Sequence, residues 1–241
     1  MLKRTILSAC VTALIGSGSI ALAAGHGEKP KAETWTNVSL KETLNKMPAG
    51  DATRGQKVNE MMMCNACHGE TGKSPSRNYA SINGQPKEYT IKMMLDYRDG
   101  RRWEDYKQSE IMVKLSQSMD DQQIADIAAF YAEQPLEAWV SQPSADAQAP
   151  EIDRLVRKGD VNRMITPCAS CHGVHGEGQG IIPALSGQVP EYFVRTMKAY
   201  RDGQRHNDVN KGMSIFTTQL TDAEIQGLAD YYAAMPDKKE P

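Results

Sequence analysis

Two stretches lying 101 residues apart carry the same spacing of apolar positions. Ile124, Ile127, Ala128 and Tyr131 fall at i, i+3, i+4 and i+7, and Ile225, Leu228, Ala229 and Tyr232 repeat the pattern. That spacing predicts an amphipathic helix with one face on a core. Asp120 with Gln123, and Thr221 with Glu224, sit just ahead as capping boxes. A second helix is predicted from near Pro86 and from near Pro190, since proline is tolerated in a first turn. It carries Tyr89, Met93 and Tyr97 in one copy and Tyr192, Thr196 and Tyr200 in the other. A third, short helix should lead from Gly55 or Gly159 into a pair of cysteines. No stretch alternates with period two, so the fold class is all-α.

These stretches belong to an internal repeat. Gly55 and Gly159, like Cys64 and Cys168, lie 104 apart; Gly84-Gln85 and Gly187-Gln188 lie 103 apart. Tyr97-Arg98-Asp99-Gly100 recurs as Tyr200-Arg201-Asp202-Gly203, and Met112 and Met213 lie 101 apart. The chain therefore divides into a leader 1–23, an extension 24–48, a first domain 49–134, a linker 135–150, a second domain 151–236 and a tail 237–241. The linker is rich in Pro, Ala, Ser and Gln, and its Trp139 should pack on one of the two domains. The extension carries Trp35 and a short helix capped at Ser39. Domains this small bury little core of their own, and a large apolar cofactor offsets that.

Composition changes the picture at the N-terminus. Lys3 and Arg4 precede an apolar stretch from Ile6 to Leu22 that ends in Ala21-Leu22-Ala23. This is the layout of a secretory signal peptide cut near Ala23, which places the mature chain in the periplasm. Lys plus Arg number 28 against 30 Asp plus Glu, so nothing marks a nucleic-acid partner.

Export with an even cysteine number would ordinarily imply disulfides. Here Cys64-Asn65-Ala66-Cys67-His68 and Cys168-Ala169-Ser170-Cys171-His172 are C-x-x-C-H sequences, the signature of covalent haem c. Two thiols one helical turn apart reach the two vinyl groups at one porphyrin edge, and the adjacent imidazole binds iron. A shared zinc site is disfavoured because each pair sits in its own repeat, and a thioredoxin-like motif lacks its βαβ context. His68 is the single histidine of the first repeat, which excludes bis-histidine ligation there. A methionine is the natural sixth ligand of an electron-transfer haem. The repeat singles out Met112 and Met213, each seven residues ahead of Met119 or Leu220, in a loop able to fold over the haem. Met94 and Met197 also match one another and read as core. His175 and His206 read as surface residues, His206 being the weaker rival to Met213. Arg98 and Arg201 are either propionate contacts or solvent-facing helix ends.

These residues resemble the cytochrome c4 family, dihaem periplasmic proteins built from two tandem class I cytochrome c domains. The likeness rests on C-x-x-C-H-G at Cys64–Gly69 and Cys168–Gly173, Gly-Gln-x-x-x-Tyr at Gly84–Tyr89 and Gly187–Tyr192, and the paired Tyr-Arg-Asp-Gly. It implies two haem c groups and Met112 and Met213 as distal ligands. The function it implies is electron transfer, with a bc1-type complex or a membrane oxidase as partner. The chain departs from the pattern in its long extension, a candidate for docking or for peripheral membrane contact. It departs again at Ala80, where the second repeat has the buttressing Pro183, so the support of His68 should be looser. Two alternatives stand beside the carrier: the electron-accepting subunit of a periplasmic dehydrogenase, and a catalytic haem enzyme. The second needs an open iron position, which the ligand inventory does not favour.

Overall fold

The computed structural model describes residues 32–104, 107–140, 142, 144 and 149–234. The leader and its cleavage point, the start of the extension, the centre of the linker and the tail lie outside these. Among the described residues the chain is helical, with two isolated β-bridges and no strand. The extension supplies α1 (Asn37–Lys46). The first repeat follows with α2 (Ala52–Met61), α3 (Asn65–His68), α4 (Lys87–Arg98), α5 (Lys107–Gln117) and α6 (Asp121–Ala132). The second has α7 (Pro150–Arg157), α8 (Cys168–His172), α9 (Pro190–Arg201), α10 (Gly212–Thr217) and α11 (Asp222–Ala233).

The closing helices form where the periodicity places them. Both capping boxes are made, from Asp120 to Gln123 and from Thr221 to Glu224, satisfying N-terminal amides that would otherwise lack partners. Ile124, Ala128, Ile225 and Ala229 are completely buried, and each large apolar side chain so placed contributes about 1.5–3 kcal/mol. Around α6 gather Val58, Ile91, Leu95 and Met119, with Trp35 and Leu40 of the extension. Around α11 gather Ile152, Leu155, Phe193, Met197 and Leu220.

Three expectations are corrected. The extension helix is capped by Thr36, not Ser39; Ser39 is the third residue of the helix, closes the capping box and bonds back to Thr36. Gly55 and Gly159 are not equivalent. Gly55 lies inside α2, where it meets the backbone of α6: a Cβ there would stand 2.1 Å from the Asp126 carbonyl. Gly159 follows the end of α7 at φ +68°, a conformation suited to glycine, and opens a loop closed by the Asp160–Ile165 bridge. That loop separates α7 from its cysteines, so the shared spacing of the two glycines is coincidental. Finally, Met112 and Met213 are not in loops: Met112 lies within α5, and Met213 lies in the first turn of α10.

The two repeats meet along an extensive seam. Gln85 donates to the Ala184 carbonyl at 2.9 Å and accepts from its amide at 3.0 Å. Gln188 answers with the same pair to Ser81, both at 2.9 Å. The preceding glycines cap their own domains, Gly84 donating to the Tyr131 carbonyl and Gly187 to that of Tyr232. The repeated Gly-Gln thus closes one domain and grips the other. Trp139 and Val140 of the linker donate to the Ala233 carbonyl, which settles the linker tryptophan against the second domain.

Candidate haem-binding sites

Each C-x-x-C-H segment folds as one short helical turn, α3 with its preceding Cys64 and α8. The four cysteines form no disulfide, and burial pushes the Cys64 and Cys168 thiols, while they are free of haem, up to about 11. Glycines at φ +81° and +85°, Gly69 and Gly173, end the turns immediately after the histidines. The His68 ring nitrogen Nδ1 lies 2.9 Å from the Ala80 carbonyl, and that of His172 lies 2.9 Å from the Pro183 carbonyl. A carbonyl can only accept, so Nδ1 carries the proton and Nε2 keeps its lone pair for a metal. Burial pushes both imidazoles below their ordinary pKa, which favours that neutral form. Ala80 therefore holds His68 at the same distance at which Pro183 holds His172. The looser support expected from the missing proline is not what the structure has, because the acceptor is backbone and any residue supplies it.

A cavity opens beside His68. Cys64 and Cys67 line it together with Ile82, Ile127, Leu115 and Tyr131, and so do Met93, Met94, Met112 and Met119. Met63 and Ile111 line it too and are exposed to solvent, 68% and 48% respectively. In the second repeat Cys168, Leu185 and Met213 pack against the cluster of Met197, Leu220 and Tyr232. There Asp208 accepts from the Met213 and Ser214 amides at 2.9 and 2.8 Å, which pins the first turn of α10. The structure thus brings His68 and Met112 to one cavity and Cys168 and Met213 to one cluster. His175 and His206 are exposed, as a surface reading requires.

Arg102 and Arg205 were missed in the sequence. They occupy one place in the two copies, each stacked on the tyrosine of Tyr-Arg-Asp-Gly: Arg102 over Tyr97 at 4.7 Å and Arg205 over Tyr200 at 4.5 Å. Both are 3% exposed. Arg102 donates to Glu104 at 2.9 Å and, across the seam, to the Tyr192 hydroxyl at 3.1 Å. Arg205 approaches the same Glu104 at 3.9 Å. Burial opposes ionisation of Glu104 and Tyr192, yet the two guanidiniums outweigh it, holding Glu104 below its usual range and Tyr192 at about 8. Two buried guanidiniums share one carboxylate, and Arg102, Glu104 and Tyr192 border the cavity itself. The signal was present, since an arginine recurs five residues after each of Tyr97 and Tyr200. Arg98 and Arg201 instead tie their helices to the next ones, through Asp121 at 2.7 Å and Asp222 at 2.6 Å.

An apolar cavity with a free imidazole nitrogen, two thiols and a cationic border fits a haem: macrocycle inside, iron on the imidazole, carboxylates at the arginines. Repeated in tandem, this helical unit defines a dihaem c-type cytochrome, an electron-transfer protein with two covalently bound haem c groups. The cytochrome c family model matches residues 52–133 and 163–235. Cytochrome c4 of Pseudomonas aeruginosa is 33% identical over 186 residues, covering 76% of this chain and 88% of that protein. The thiosulfate dehydrogenase electron acceptor of Thiomonas intermedia is 30% identical over 73% of this chain and 80% of its own. The crystal structure of reduced recombinant cytochrome c4 from Pseudomonas stutzeri superposes with a TM-score of 0.67 at 27% identity, covering 78% of this chain and all of that one (100%). The chain belongs to the cytochrome c4 family.

Proposed function

We propose that Cys64 and Cys67 hold one haem through thioethers and Cys168 and Cys171 the other. His68 with Met112, and His172 with Met213, serve as axial ligands. The observation that carries this is the pinning of each histidine through Nδ1 to a backbone carbonyl, repeated in both domains. Each haem supplies one-electron chemistry at its iron; the chain's part is to fix both axial ligands and exclude water, so that little rearranges when charge changes. Arg102 and Arg205 receive propionates, which the two-to-one ratio of buried guanidinium to carboxylate supports. With both ligand positions filled the protein is a carrier and not an enzyme.

The leader-like N-terminus supports action in the periplasm, passing electrons from a bc1-type complex or a dehydrogenase to a terminal acceptor such as a membrane oxidase. No helix among the described residues is long and apolar enough to cross a membrane. A second reading, acceptor for a periplasmic dehydrogenase, draws support from the relative named as the electron acceptor of thiosulfate dehydrogenase.

The test begins with purified holo-protein. Two haems per chain, a methionine–iron charge-transfer band and no response to carbon monoxide are expected. Met112→Ala should give carbon monoxide binding at one haem and a lowered potential there, and Met213→Ala the same at the other. A wild type that binds carbon monoxide has an open iron, and the carrier reading fails. Reduction by thiosulfate dehydrogenase with thiosulfate, compared with reduction by a quinol-driven bc1-type complex, separates the two partner readings.

A further inference from the structure

The extension ahead of both repeats reaches the seam between them. Trp35 is 8% exposed, and its indole N–H donates to Asp96 Oδ1 at 2.5 Å. Asp96 is completely buried on α4, and its other oxygen accepts from Lys92 Nζ at 2.5 Å and from Asn207 Nδ2 at 2.6 Å. Lys92 also donates to the Asn207 carbonyl at 2.8 Å. Asn207 belongs to the second domain. One carboxylate therefore gathers donors from the extension, the first domain and the second.

The extension is itself fastened at this point. The Arg101 guanidinium lies 3.7 Å from the centre of the Trp35 ring and donates to the Glu33 carbonyl at 2.9 Å. Leu40 of α1 is buried in the first domain's core. A hydrogen bond to a carboxylate in water is readily exchanged for one from solvent. Sealed from water, it is stronger, and breaking it strands a buried charge.

We propose that residues 32–47 act as an interdomain clamp in which Trp35 is a positioning residue. It keeps water from Asp96, so that Asn207 stays bonded there and the two haem domains keep a fixed mutual orientation for electron exchange between them. The electron-exchange part rests on the haem placement proposed above; the orientation does not.

The seam carries its own reporters, the Ser81 and Ala184 amides, whose acceptors are Gln188 and Gln85 of the opposite domain. Amide hydrogen exchange in the ferrous, diamagnetic holo-protein reads them directly. In Trp35→Ala, exchange at Ser81 and Ala184 should accelerate about tenfold or more, with the amides of α6 and α11 unchanged. Trp35→Phe keeps a ring over Arg101 and loses the N–H alone, so it should fall between Ala and wild type. Exchange between haems in the half-reduced protein should slow in the same order. Wild-type protection at Ser81 and Ala184 in Trp35→Ala overturns the proposal. So does uniform acceleration through α6, which would make Trp35 ordinary core. If Trp35→Ala does not accumulate with two haems, the same two outcomes in Trp35→Phe decide it. Accelerated exchange at Ser81 and Ala184 with unchanged electron exchange would uphold the orientation clamp and overturn the haem placement on which the electron-exchange part rests.

Discussion

At the scale of single residues the two copies differ where their sequences look alike. The Tyr131 hydroxyl donates to Asn59 Oδ1 at 2.7 Å, both groups being buried. Its counterpart Tyr232 has no nitrogen or oxygen partner for its hydroxyl among the described residues and faces the Cys168 sulfur. Tyr131→Phe leaves Asn59 short of a donor and should cost about 1–3 kcal/mol in chemical denaturation. Tyr232→Phe should cost clearly less; equal losses would mean that the Asn59 bond carries no stability. Asp126 offers a pH handle. Burial opposes its ionisation, but Arg54, the Asp51 amide and Gln122 outweigh that and hold its pKa below the ordinary value. A depressed carboxylate contributes stability that is fully present above its unfolded pKa, near about 4, and lost as pH falls through the lower folded value. Asp126→Asn should therefore flatten the acid limb of a stability–pH curve below about pH 4 while lowering the plateau above it.

At the scale of elements, the crossing of α2 on α6 depends on a missing side chain. A Cβ at Gly55 would stand 2.1 Å from the Asp126 carbonyl and 2.7 Å from Phe130 Cβ. Neither neighbour is a flexible tip, so Gly55→Ala should lose about 1–3 kcal/mol in thermal or denaturant unfolding despite alanine's better helix propensity. A stabilised variant would show that the helices separate at little cost. The same crossing explains a misreading. Glycine 104 residues on looks like the matching landmark, yet there it terminates a helix, because the second domain inserts a bridged loop before its cysteines. Spacing alone does not distinguish a glycine needed for close approach from one needed for positive φ.

At the scale of the whole molecule, the seam is polar and almost fully satisfied. The paired glutamines contribute four hydrogen bonds between domains, and the buried arginines share Glu104. Such bonds couple the domains by orientation more than by area. Gln85→Ala with Gln188→Ala should split a single calorimetric unfolding transition of the holo-protein into two, one for each domain. A transition that stays single would place the coupling in the ionic network instead. The extension adds to that network at Asp96, which makes the first domain's stability and the domain orientation share one group.

What the sequence determined alone was local or repeated. The all-α class, the closing helices with their capping boxes, the two C-x-x-C-H turns and the pairing of Met112 with Met213 follow from periodicity, from adjacent chemistry and from the second copy. Resemblance then supplied the family. The tertiary structure decided what depends on contacts between distant segments. It showed that the histidine buttress is a backbone carbonyl and so indifferent to Ala80 or Pro183. It showed Arg102 and Arg205 buried, Arg102 at the cavity border, while Arg98 and Arg201 end their helices on neighbouring aspartates. The loop that follows each helix, which periodicity does not describe, folds the later arginine back inside. It also placed Trp35 and Asn207 on the two oxygens of Asp96, 61 and 111 residues away from it along the chain. A hydrogen bond between such groups leaves no periodic trace, because the partners are selected by the packing of helices and not by their order in sequence.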